Sequence, residues 1–127
     1  AGNTTVTGAL SGLAPLTLLE LFYVPGNSNT ISGDIGSLRS TVRGISLEGG
    51  TTVNAYTRPH TWISTVGLVN IKPTAALSST IIDNLLIDLN AVGMTGGTIT
   101  LKGSTTIASD VAKAALITRG VTVIITP

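Results

Sequence analysis

The feature that most constrains the fold is a short pattern, an apolar residue, any residue and another apolar residue, that recurs about every two dozen positions. The five copies are Leu19-Glu20-Leu21, Ile45-Ser46-Leu47, Val69-Asn70-Ile71, Ile99-Thr100-Leu101 and Val121-Thr122-Val123, with steps of 26, 24, 30 and 22 residues between their first positions. Such alternation buries one face of a strand, and this spacing suits one turn of a repeat whose strands stack in a parallel sheet. Strands are therefore predicted near residues 18–23, 43–48, 67–72, 98–102 and 121–126, with the apolar positions of each copy buried.

Two further repeats support this interpretation. Leu16, Val42 and Val66 each lie three positions before one of the first three copies, which extends the shared pattern to L-x-x-L-x-L. The stretch 5–10 matches the stretch 30–35, twenty-five positions on, and a third copy begins at Thr52. The alternative is chance alternation of apolar residues in an ordinary parallel α/β domain.

Two helices are predicted in the second half of the chain. Ser78 or Ser79 can cap the first helix, and Gly93 is placed to end it. The second helix can begin at Ser109 or Asp110 and end at the glycine before the last strand. The apolar residues of the first helix fall at helical spacing: Ile81, Ile82, Leu85, Leu86 and Leu89.

Several stretches of the chain also resemble a known class of repeat. They are Thr30-Ile31-Ser32-Gly33-Asp34-Ile35-Gly36-Ser37-Leu38, Thr52-Val53-Asn54-Ala55-Tyr56-Thr57, His60-Thr61-Trp62 and the region from Leu77 to Leu89. They resemble the leucine-rich repeats of the "NTISGDI" type, with their C-terminal module, in surface proteins of Bacteroidetes-type bacteria and of the phages that infect them. The resemblance covers nearly the whole chain and implies an architecture more than an activity.

The resulting expectation is an α/β fold, a short leucine-rich-repeat solenoid with a parallel sheet and two C-terminal helices. A chain of 127 residues with 43% apolar residues can bury one continuous core. Residues 1–127 are therefore interpreted as one domain, with repeats over 1–73 and a strand-helix capping module over 74–127. The helices are expected to cap the C-terminal end, whereas the first repeat is expected to be exposed or covered by another chain.

The composition of the chain limits the kinds of partner and the cellular location that we expect. Seven Lys and Arg residues against six Asp and Glu residues argue against nucleic acid and anionic membranes as partners. The longest apolar run, 81–92, is too short to span a bilayer of about 30 Å, so no membrane insertion is expected. The low charge and the abundance of Thr, Gly, Ser and Asn favour an extracellular protein. The resemblance implies that its location is a bacterial cell surface or a phage virion. A chain that starts at Ala1 without a leader is interpreted as a processed product or an excised fragment.

The inventory of reactive groups predicts no enzyme, no metal and no cofactor. His60 is the only histidine, and its turn-like surroundings favour a structural hydrogen bond. The six carboxylates are scattered, cysteine is absent, and Gly96-Gly97 suits a turn better than a phosphate cradle. Asn3 begins a glycan-acceptor sequon, for which no glycan is predicted in a bacterial or phage protein. An enzymatic alternative would require a pocket around His60 or Glu20.

The outward positions of the strands remain as candidates for recognition, because side chains of alternate residues stack into rows across a sheet. The best candidates for contact with a protein or glycan on a cell surface are Phe22, Tyr23, Glu48, Asn70 and Lys72. The competing interpretation is a solvated sheet in which Glu48 and Lys72 pair across strands. The leading functional hypothesis is thus a recognition or attachment module. The alternative is a structural subunit that self-assembles into a filament, fibre or virion component, with contact through the N-terminal repeat.

Overall fold

The computed structural model describes residues 7–13, 15–16, 18–24, 30–49 and 52–127. The strands are β1 (Thr7–Ala9), β2 (Leu21–Val24), β3 (Thr30–Asp34), β4 (Gly44–Gly49), β5 (Thr52–Ala55), β6 (Leu68–Pro73), β7 (Thr98–Lys102) and β8 (Thr122–Thr126). The helices are α1 (Ser79–Ala91), between β6 and β7, and α2 (Asp110–Thr118), between β7 and β8. Short 3-10 turns occupy Leu10–Leu13, Ile35–Ser37 and Ile107–Ser109. The sequon at Asn3 lies outside the described residues.

All the strands pair in parallel, in two sheets. The larger sheet has the order β2-β4-β6-β7-β8, and the smaller one has the order β1-β3-β5. The chain alternates between them, so that each strand of the small sheet precedes one strand of the large sheet, and α1 and α2 precede the last two strands. We call each such pair a unit, from unit one (β1 and β2) to unit five (α2 and β8). The predicted α/β class, with a parallel sheet of five strands and two helices, is confirmed.

The inner face of the large sheet forms the middle of the core. Strand register aligns its side chains in two rows, and the inner residues of the three central strands are fully buried: Ile45, Leu47, Val69, Ile71, Ile99 and Leu101. The apolar residues of α1 and Leu116 of α2 join the same core. Alternation thus places the burial of the central strands as predicted.

The first strand of the large sheet differs from the prediction. Phe22 pairs with Ile45, and Val24 pairs with Leu47. The prediction that Leu21 is buried is wrong, because Leu21 points to the outer face and half of its surface is exposed. The true register is shifted by three residues from the pattern, and an odd shift exchanges the two faces of a strand.

The last strand is shifted by two residues, which preserves the faces. Val123 pairs with Ile99, and Ile125 takes the next inner position. Val121 is buried just before the strand, as predicted, and Val123 packs against the core while remaining partly exposed. Leu19, just before β2, is likewise partly buried against the core.

Both helices begin and end where the sequence predicts. The Ser78 hydroxyl accepts the backbone N–H of Ile81 at 3.3 Å, and Gly93 follows α1 with a φ of 81°. Gly120 follows α2 with a φ of 83°. These positive φ angles favour glycine and end each helix.

The outer side of the last helical segment, from Ile107 through α2, is partly apolar. Ala112 and Leu116 face the core, but Ile107, Val111 and Ile117 are exposed around them. Apolar residues therefore cover more than one face of this last helical segment. The C-terminal end buries the core beneath α2 and presents a second apolar surface outward.

Candidate functional site

The outer face of the large sheet carries most of the predicted site residues. Tyr23, Ser46, Asn70 and Thr100 occupy matching positions on β2, β4, β6 and β7, and Ile124 completes this row on β8. The parallel register alone produces the row, because each of these residues lies between two inner apolar residues. The sheet thus collects in one row residues that are more than twenty positions apart in the chain.

Glu48 and Lys72 form the next pair along the same face. The Lys72 Nζ lies 3.1 Å from a Glu48 carboxylate oxygen, and both side chains are about one third exposed. The predicted pairing of Glu48 and Lys72 across strands is therefore confirmed. An exposed pair of this kind adds little stability, so its main effect is to hold the two side chains in place.

Asn70 connects the two rows. Its amide nitrogen donates to the Ser46 hydroxyl at 3.0 Å and to the Glu48 carboxylate at 2.8 Å. Hydrogen bonds from Asn70 and Lys72 lower the pKa of the Glu48 carboxyl. The Asn70 carbonyl oxygen is buried without a hydrogen-bond partner in the described part of the chain. Ser46, Asn70, Glu48 and Lys72 thus form one ordered polar group, which we call the polar ladder.

An open depression of about 460 Å³ adjoins the polar ladder, at the carboxyl ends of β4, β6 and β7. Glu48, Lys72 and Lys102 contribute charged groups to its lining. The Lys102 ammonium donates to the Thr74 carbonyl at 2.6 Å, so this cation is held at the wall. The depression is shallow and suits contact with a surface.

The aromatic candidates separate onto opposite faces. Tyr23 points outward and is 52% exposed, close to Leu21 and Arg43. Phe22 packs against the core from the inner row, which makes its assignment to the outer face a wrong prediction. The pattern "apolar, any, apolar" fits both Leu19–Leu21 and Phe22–Val24. The sequence pattern is therefore compatible with the observed register but does not distinguish it from the predicted one.

Three further carboxylates, Asp34, Asp83 and Asp88, appear scattered in the sequence but connect neighbouring units. One Asp34 oxygen accepts the backbone N–H groups of Gly36 at 2.7 Å and of Thr57 at 2.8 Å, and the other accepts the Thr57 hydroxyl. Burial opposes ionisation of Asp34, but these hydrogen bonds outweigh it, so the pKa of its carboxyl lies below the ordinary 3.8. This contact joins unit two to unit three.

Asp83 makes the corresponding contact between units four and five. It is buried, and it accepts the Thr106 backbone N–H at 3.0 Å and the hydroxyls of Thr106 and Ser109 at 2.5 and 2.6 Å. Burial again opposes ionisation, but the hydrogen bonds prevail and lower the pKa of Asp83. The carboxylate therefore holds the start of α2 against α1.

Asp88 accepts hydrogen bonds from Tyr56 and Arg58, which follow β5. Trp62 donates its indole N–H to the Tyr56 hydroxyl at 2.9 Å, and that hydroxyl donates to Asp88 at 2.6 Å. Arg58 binds the same carboxylate through two nitrogens, at 3.0 and 2.6 Å. Burial and the hydrogen bond to Asp88 raise the pKa of Tyr56 above its usual range, so its hydroxyl stays a donor.

His60 lies beside this group, in the role the sequence favours. Its Nε2 is 3.0 Å from the Leu38 carbonyl oxygen, so Nε2 carries the proton and donates to it. The imidazole packs edge-on against Trp62, with 4.7 Å between ring centres. Glu20, the other group around which an enzymatic pocket was considered, makes an exposed ion pair with Arg43 at 3.3 Å.

Comparisons with known proteins add no assignment: no family model, curated protein or solved structure matches the sequence. Among the described residues, no three His, Cys, Asp or Glu side chains come together as a metal site would require. None of the helices in the described part of the chain is long and apolar enough to cross a membrane.

Proposed function

We propose that this chain is a recognition or attachment module, built as a short leucine-rich-repeat solenoid and displayed outside the cell on a bacterial surface or in a phage virion. The repeat resemblance and the alternation of elements along the chain support the architecture. The contact surface is the outer face of the large sheet, with Tyr23, Glu48, Asn70 and Lys72 as its central residues. Its partner is a protein or a glycan on a cell surface.

The observation that carries the proposal is the contrast between the two faces of the large sheet. Parallel sheets are usually covered on both faces by helices. Here α1, α2 and the inner rows belong to one core, while the side chains of the polar ladder keep partial exposure on the outer face. A preorganised row of hydroxyl, amide, carboxylate and ammonium groups next to an exposed tyrosine suits contact with a polar surface.

Binding to a panel of intact bacterial cells and to an array of bacterial surface polysaccharides tests the proposal. The variants Tyr23→Ala and Asn70→Ala should each weaken binding about tenfold or more, since aromatic and central polar contacts carry most interface energy. Thr80→Ala, at an exposed position of α1, is the matched control and should bind as the parent protein does.

Digestion of the cells with protease before binding separates the two classes of partner. Loss of binding after digestion indicates a protein, and retention together with a signal on the array indicates a glycan. If binding occurs but none of the outer-face variants weakens it, the sheet is not the contact surface. The loop that contains Arg58 and His60 would then be the next region to mutate.

A further inference from the structure

The two edge strands of the large sheet, β2 and β8, each have one side without a neighbouring strand in the described part of the chain. Each therefore leaves one side of its backbone available. The inner residues Phe22 and Val123 are only partly buried at these edges, unlike the central rows. Each edge strand therefore has an inner apolar residue that is partly accessible.

Exposed apolar side chains concentrate in the first and last units. Leu18 is 87% exposed in unit one, and Val111 is 81% exposed on α2 in unit five. All the large hydrophobic residues that are exposed in the described part of the chain belong to these two units: Leu16, Leu18, Leu21, Tyr23, Ile107, Val111, Ile117 and Ile124. Such groups commonly mark contact surfaces when they cluster.

The strand-to-strand contact inside the molecule shows how the two ends match. The Glu20 carbonyl accepts the Gly44 N–H at 3.1 Å, and three units further on the Gly97 carbonyl accepts the Thr122 N–H at 3.0 Å. By the same register, the acceptor that unit five offers to a following unit is the Val121 carbonyl. The N–H of unit one that would bind it is that of Leu21, which aligns with Gly44 and Thr122. A first unit placed beside β8 would therefore continue the contact that already joins the units within one chain.

We propose that a second copy of this chain occupies this surface, with its β2 in parallel beside β8 and its unit one covering α2. The pairing brings Tyr23 of the second copy next to Ile124 and Phe22 next to Val123, which extends both the outer and the inner rows. A formal net charge of +1 presents little repulsion between copies. Because the two contacting surfaces differ, each added copy leaves one of each free, and the assembly grows head to tail.

Sedimentation velocity over a range of protein concentrations, with two single variants, tests the proposal. The parent protein should gain mass with concentration beyond the mass of a dimer. Val111→Glu places a charge on the contact surface of unit five, and Leu18→Glu places one on the contact surface of unit one. Each variant should therefore raise the dissociation constant at least about tenfold, or about 1.4 kcal/mol. Thr80→Glu adds the same charge to an exposed position of α1 and should assemble as the parent does.

Mixing the two variants provides the decisive measurement. Each retains one intact end, so an equimolar mixture should form one-to-one heterodimers that do not grow further. A parent protein that stays monomeric at millimolar concentration overturns the proposal. So does an assembly that Val111→Glu abolishes and Leu18→Glu leaves unchanged, because that result indicates a symmetric contact through α2.

Folding of the variants is checked by circular dichroism and thermal melting. Both positions are mostly exposed, so melting temperatures should stay within a few degrees of the parent. If either glutamate variant unfolds, Ile107→Ser and Leu16→Ser replace the pair and change the same two surfaces with a smaller perturbation. If these two serine variants, measured separately and as a mixture, assemble as the parent protein does, the proposal is also contradicted. Because these positions lie off the polar ladder, the outcome is independent of ligand binding.

Discussion

At the scale of single residues, carboxylates act as connectors between neighbouring units. Asp34, Asp83 and Asp88 each accept hydrogen bonds from residues of the following or preceding unit, more than twenty positions away in the chain. A carboxylate has several acceptor positions, so one side chain satisfies a backbone N–H and neighbouring hydroxyls together. Charge-assisted hydrogen bonds of this kind are stronger than neutral ones, and they depend on the carboxylate remaining ionised.

The first prediction concerns acid stability. The pKa of Asp34 and of Asp83 is lower in the folded chain than the ordinary 3.8, so their contribution is complete above that value and is lost as pH falls through the folded pKa. The unfolding free energy should therefore decrease as pH falls below about 4, measured by urea denaturation at a series of pH values. Asp83→Asn should flatten this decrease.

A variant that keeps Asp83 but changes its hydrogen-bond donors controls for the effect of replacing the carboxylate. The double variant Thr106→Val with Ser109→Ala keeps Asp83 but removes its two hydroxyl donors. It should also flatten the acid decrease. Identical pH profiles for the parent and both variants would contradict the connecting role of Asp83.

The second prediction compares two leucines that the repeat pattern treats alike. Leu47 is fully buried, whereas Leu21 is half exposed on the outer face. Leu47→Ala should cost about 2–5 kcal/mol of unfolding free energy through lost burial and the cavity left behind. Leu21→Ala should cost less than about 1 kcal/mol. Equal losses in urea denaturation would show that Leu21 is a core residue after all.

At the scale of elements, close approach between successive strands depends on glycine. Gly96 and Gly97, just before β7, both have positive φ angles, of 61° and 75°. A side-chain Cβ on Gly96 would meet no atom within 4 Å, but one on Gly97 would lie 2.3 Å from the Gly67 carbonyl oxygen. That loop therefore approaches the start of β6 more closely than any other residue type allows at position 97.

The third prediction uses these adjacent glycines as a matched pair. Gly96→Ala should cost about 1–2 kcal/mol, the cost of the left-handed conformation alone. Gly97→Ala should cost clearly more, because the backbone of the loop must also move away from Gly67. Chemical denaturation of both variants measures the difference, and a Gly97→Ala protein as stable as Gly96→Ala would contradict the close approach.

At the scale of the whole molecule, stability should be graded along the array of units. The inner residues of β4, β6 and β7 are covered on both sides by neighbouring strands, whereas those of β2 and β8 have one neighbour among the described elements. Each strand of the large sheet contacts mainly the strands beside it. End units with a single such contact therefore open more easily than central ones.

The fourth prediction follows for amide hydrogen exchange of dilute protein. Protection factors in β6 should exceed those in β8 by at least about tenfold, because opening of the last unit leaves the central strands intact. Exchange at high concentration should protect β2 and β8 further if head-to-tail assembly occurs. Uniform protection across all strands at low concentration would indicate one cooperative unit without gradation.

The sequence alone determined the strands at the centre of the large sheet, their burial and the two helices, whereas it did not predict the small sheet of β1, β3 and β5. The apolar spacing of the central copies specifies β4, β6 and β7, and the serine and glycine signals specify where α1 and α2 begin and end. These properties are local, because they depend on the alternation of a strand, the period of a helix and the conformations that caps require.

Tertiary structure decided the register at the two ends and the roles of the polar residues. An apolar run such as Leu21–Val24 has two nearly equivalent alternations, and only pairing with β4 turns Phe22 inward and Tyr23 outward. The partners of Asp34, Asp83 and Asp88 lie a whole unit away, so no local pattern identifies them. Long-range pairing selects among alternatives that are locally equal in energy, and for that reason both the edge strands and the polar contacts depend on the assembled sheet.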